Sequence, residues 1–123
     1  MIAGSVTAQR EATVNLIVRG PTGKQQEIQG LIDTGFDGSL SLTPRMIAAL
    51  ELSWLTRQRA ILADGSESIF DSYEAIVIWD GAPQRVSAHQ LDVAPLVGMT
   101  LLYGYELTLE IVEGGNVIIK ALT

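Results

Sequence analysis

The chain has 123 residues, 47% of them apolar and 18% charged, with a net charge of −6 and no cysteine. A chain of this length and apolar content is expected to fold as one domain, residues 1–123, with a real core rather than a disordered tail. The acidic balance and scattered basic residues argue against nucleic-acid binding, and the lack of cysteine excludes a disulfide framework, a thiol nucleophile and a cysteine metal site.

Residues 1–20 carry no basic segment followed by an apolar one, and no run approaches a membrane span, so the expectation is a cytoplasmic protein without membrane contact. From Ala12 to Arg19, Val14, Leu16 and Val18 alternate with Thr13, Asn15 and Ile17, a strand with one buried face. Gly20-Pro21-Thr22-Gly23 is a turn, and Gln25 to Asp33 returns as a second strand. Gly23-Lys24 lacks the spacing of a phosphate loop.

The stretch Leu31-Ile32-Asp33-Thr34-Gly35-Phe36-Asp37-Gly38 then delivers a carboxylate from the end of a strand into a close-packed turn. Thr34 is small, and Gly35 has no side chain to keep a backbone or ligand away. Ser39 to Leu42 is short and extended. Thr43-Pro44 starts a short helix to about Glu51, with Thr43 as N-cap and Pro44 where no amide donor is needed.

A strand is expected around Arg59 to Ala63, then a hairpin turn at Asp64-Gly65 and an extended run from Ser66 to Phe70. A second long hairpin joins Tyr73–Trp79 to Arg85–Val93 through Asp80-Gly81-Ala82-Pro83. Leu96-Val97-Gly98 precedes a turn or two of helix over Met99–Tyr103. Strands at Tyr105–Val112 and Val117–Leu122 follow, joined by Gly114-Gly115-Asn116. Short strands with turns between them indicate a mostly β domain, a barrel or closed sheet, with one or two short helices.

Two apolar residues, Asp33-Thr34-Gly35, an apolar residue, Asp37, glycine and a Ser-Leu-Ser-Leu strand together resemble the active-site loop of retropepsin-like aspartic peptidases. Small bacterial members are the nearest in style, and Leu96-Val97-Gly98 resembles the second element of that family. The resemblance implies a small closed β-barrel of the acid-protease type and a metal-free, cofactor-free endopeptidase acting on peptide or protein substrates. Asp33 would be catalytic. Only one Asp-Thr-Gly is present, and Gly98, its counterpart in the second half, has no carboxylate, so a homodimer would supply the second Asp33.

By the same resemblance, Thr34 would brace the partner loop, and Gly35 and Asp37 would hold an extended peptide. The Asp64-Gly65 hairpin would be a flap whose Gly65 amide reaches the substrate. Many viral members place an arginine after the second motif to pair with the acid at the Asp37 position. Here Met99 and Thr100 follow Gly98, which leaves Arg45, Arg57 or Arg59 as substitutes.

The sole histidine, His89, has no Gly-x-Ser-x-Gly elbow to serve and is expected to be an ordinary surface residue. Trp54, Tyr73, Trp79, Tyr103 and Tyr105 are expected in core and interface. The alternative to an enzyme is the same fold used as an inactive dimeric peptide-binding or interaction module.

Overall fold

The computed structural model describes residues 1–123. Its strands are β1 (Ile2–Val6), β2 (Ala12–Arg19), β3 (Gln25–Ile32), β4 (Leu40–Leu42), β5 (Ser53–Ile61), β6 (Glu67–Trp79), β7 (Ala82–Gln90), β8 (Leu96–Val97), β9 (Tyr105–Leu109) and β10 (Asn116–Ala121). Two short helices, α1 (Pro44–Ala49) and α2 (Met99–Leu102), complete the chain. No helix is long and apolar enough to cross a membrane.

Neighbouring strands run β5-β6-β7-β4-β8-β3-β2-β1-β10-β9, and a further pairing of β6 with β2 closes the six strands from β6 to β2 into a barrel. The alternation in β2 explains the closure. Val14, Leu16 and Val18 are buried while Asn15 and Ile17 face out. Val77, Trp79, Ala88, Leu40, Leu42 and Val97 meet them from the other barrel strands. Burying a valine or leucine of this kind contributes about 1.5–3 kcal/mol.

Outside the barrel, β1, β10 and β9 extend the sheet from β2, with Val117 and Ile119 adding to the core. β1 was not expected from the sequence. Its small residues carry little strand signal, and its ladder forms with β10 across the length of the chain, with Ile2 opposite Ile119. Gly4 lets β1 lie close on β2, since a Cβ there would sit 1.9 Å from the Thr13 carbonyl oxygen.

The regions expected as separate strands at 66–70 and 73–79 form one strand of 13 residues, β6. Buried Ser72 continues it by donating its hydroxyl to Gln58 Oε1 at 3.2 Å, and Asp71 pairs with Arg57 at 3.1 Å. β5 starts earlier than expected because its polar residues pair along β6 from Ser53 onward.

The two hairpin turns exchange characters. Asp80 and Gly81 both have positive φ, 52° and 80°, the two-residue turn that matches strand twist. At Asp64-Gly65 only Gly65 is left-handed, at φ 84°, in a longer turn where the Leu62 amide donates to the Ser66 carbonyl at 2.8 Å.

α1 begins as expected: the Met46 amide donates to Thr43 Oγ1 at 3.2 Å, with Pro44 in the first turn. Of the aromatic residues, Trp79 is buried with Tyr105 edge-on at 5.8 Å. Trp54 and Tyr103, expected in core or interface, are 58% and 88% exposed in the single chain. Trp54 donates its indole N–H to Asp71 at 3.2 Å.

Candidate active site

β3 and β8 run parallel, with Leu31 level with Leu96 and Ile32 level with Val97. The next step along each strand therefore sets Asp33 level with Gly98. The Asp33 amide crosses between them, donating to the Val97 carbonyl at 3.0 Å. A carboxylate thus leaves the end of one barrel strand, and the matching position on its neighbour holds only hydrogen.

Asp33 is half-buried, and the two residues after it are exposed. Its Oδ1 accepts the Gly35 amide at 2.9 Å, and its carbonyl accepts the Phe36 amide at 3.1 Å, which orients the carboxylate. A Cβ on Gly35 would lie 3.2 Å from Oδ1 and crowd it. The exposed Thr34 hydroxyl is free of any hydrogen bond within the chain.

Gly98 is where the second loop packs into the first. A Cβ there would sit 2.1 Å from the Gly38 carbonyl oxygen and 2.6 Å from the Phe36 ring. Its backbone dihedrals, φ −108° and ψ −179°, are open to any residue, so the demand for glycine is one of space. The Gly98 amide donates to Ser39 at 3.0 Å, Met99 to Phe36 at 2.8 Å and Thr100 to Gly38 at 3.2 Å, all to carbonyl oxygens.

The Thr100 hydroxyl adds a bond to the Asp37 carbonyl. This is how the loop is tied without an arginine after the second motif. Arg57 pairs with Asp71, and Arg59 with Glu67 at 3.8 Å, so neither serves Asp37, and Arg45 forms no ion pair. Thr100→Val keeps the shape and removes the hydroxyl. It is expected to cost about 0.5–1.5 kcal/mol in urea unfolding.

His89 departs from its expectation as a surface residue. It lies on β7, level with Ser41 of β4 and Ser72 of β6, and its half-buried ring packs on Phe36 at 5.3 Å and on Phe70 at 4.5 Å between centroids. Burial lowers its pKa from the ordinary value, and the negative charge of Asp37 opposes that shift. Gly38 makes room, since a Cβ there would lie 2.5 Å from the Phe36 ring and 2.9 Å from the His89 ring. Phe36 and His89 were missing from the sequence-based site because no local motif joins them.

The β5–β6 hairpin carries Asp64 and Gly65 at its tip. Asp64 Oδ1 accepts both the amide and the hydroxyl of Ser66, at 2.9 and 2.6 Å, and these bonds hold its carboxyl below the ordinary range. The Gly65 amide donates to the Leu62 carbonyl at 2.9 Å within the turn of the single chain. Ile61, Leu62 and Ile69 are exposed around the tip, while Phe70 turns inward onto His89.

No protein-family model matches the sequence, and no curated protein does. Among solved structures, the chain is similar to a retropepsin-like aspartic protease from Rickettsia conorii, with a TM-score of 0.60 and 15% identity over 99% of this chain and 91% of that one. At that identity the likeness speaks for architecture, and it agrees with the six-strand closure and the two short helices: the chain has the retropepsin-like fold.

Proposed function

We propose that the chain is an aspartic endopeptidase completed by homodimerisation, with Asp33 from each of two copies forming the catalytic pair. The observation that carries this reading is the parallel register of β3 and β8, with a positioned carboxylate at Asp33 and glycine at the matching Gly98. One chain supplies half of a dyad. Two carboxylates held close together cannot both ionise, so they share a proton. The ionised one takes a proton from a water between them while the protonated one polarises the scissile carbonyl.

A two-fold axis through the Asp33 loops brings the equivalent residues together. The exposed, unbonded Thr34 hydroxyl is available to bond the partner loop and brace the pair. An extended peptide would lie along the loop, its backbone bonded near Gly35 and Asp37 and its side chains selected by flanking pockets. The hairpin bearing Asp64 and Gly65 would close over it, its exposed Ile61, Leu62 and Ile69 shielding the reacting bond from water.

Sedimentation with a statine-type analogue tests the reading, because such compounds mimic the tetrahedral intermediate and bind far more tightly than substrate. The expected result is a dimeric particle holding one analogue per two chains. Binding of one analogue per single chain would overturn it.

A further inference from the structure

We propose that His89 is a positioning residue that couples the β5–β6 hairpin to the Asp33 loop, its ring packing on Phe70 on one side and Phe36 on the other. Phe36 follows the Asp33-Thr34-Gly35 turn directly, and its ring is walled by Gly38 and Gly98, where any Cβ would strike it. The two glycines thus let the ring pack directly against the backbone of the loop. Phe70 belongs to the hairpin strand that ends at the exposed tip. His89 touches both, so the state of the hairpin is felt at the loop that holds the carboxylate.

The contact favours a neutral ring. From the loop, His89 faces Asp37, while Ser72 and Phe70 on β6 and Ser41 on β4 are uncharged. When the hairpin lifts, His89 loses the cover of Phe70 and with it part of the burial that lowers its pKa, so its affinity for a proton rises. The lifted form therefore takes up a proton first as pH falls. Closure is therefore favoured at higher pH and weakens as pH falls through the range where the lifted form takes up its proton, until the closed form is protonated as well.

The consequence for cleavage rests on the peptidase reading; the consequence for hairpin opening does not. Hydrogen exchange of residues 61–70 and 35–39 in the wild type, His89→Ala and His89→Phe, from about pH 5 to about pH 8, separates the two. At the upper end His89→Ala is expected to lower protection about three- to tenfold in both segments, while His89→Phe retains it. As pH falls, the wild type should lose protection and His89→Phe should not.

In cleavage assays of the same proteins, the acid limb of kcat/KM should shift in His89→Phe and the alkaline limb should stay. Unchanged protection in His89→Ala, or the same pH dependence in wild type and His89→Phe, would overturn the coupling. If His89→Ala does not fold, the comparison of wild type with His89→Phe decides alone. If nothing is cleaved, the exchange result still stands and only the peptidase reading falls.

Discussion

Asp33→Asn is expected to abolish peptide cleavage and leave the fold intact. The amide oxygen of asparagine can still accept the Gly35 amide, the bond Asp33 Oδ1 makes at 2.9 Å, so the turn keeps its shape. The missing element is a group that can hold and release the shared proton. General acid–base assistance contributes roughly 10²–10⁴-fold, and on the proposed pairing the loss should be at least that large, because one substitution replaces both members together. Thermal unfolding should shift by no more than a half-exposed substitution ordinarily does, about 0.5 kcal/mol. Cleavage retained at more than a tenth of the wild-type rate would remove Asp33 from the chemistry.

Gly98→Val should do the reverse and damage the fold first. Its Cβ would be placed 2.1 Å from a backbone oxygen of Gly38 and 2.7 Å from the Phe36 carbonyl oxygen, atoms that cannot swing aside as a flexible side chain would. Overpacking of this kind costs about 1–3 kcal/mol, occasionally more. At roughly 4 °C for each kcal/mol, the midpoint should fall by about 4–12 °C. The same displacement pushes Phe36 and the Asp33 loop off register with β8, so activity should fall further than stability explains. A melting midpoint within about 1 °C of the wild type would mean the two loops are not packed as described.

The parts legible in the sequence are those whose cause is local. Asp33, Thr34 and Gly35 are contiguous, and the buried alternation of Val14, Leu16 and Val18 is written directly in β2. The α1 cap at Thr43-Pro44 is equally local. What was hidden depends on partners far away along the chain. β1 exists because Ile2 meets Ile119, and the polar start of β5 is a strand because β6 lies beside it.

His89 is the clearest case. Phe36, Phe70 and His89 share no motif, and they converge because β4 pairs parallel with β7, which sets Ser41 level with His89 beside the Asp33 loop. Likewise, the sequence offered three arginines for Asp37, but a threonine hydroxyl ties that stretch through the backbone carbonyl. Side-chain charge was the visible cue; backbone bonding supplied the tie.

The central claim is that one active site needs Asp33 from two chains, and the most direct test is to mix wild type with Asp33→Asn. The two are unfolded together, refolded at constant total concentration and assayed across the range of ratios. If each site takes one carboxylate from each copy and mixed dimers are inactive, activity follows the square of the wild-type fraction, about one quarter of full rate at equal parts. Activity that falls in simple proportion, to about one half at equal parts, would mean each chain works alone and would contradict the account.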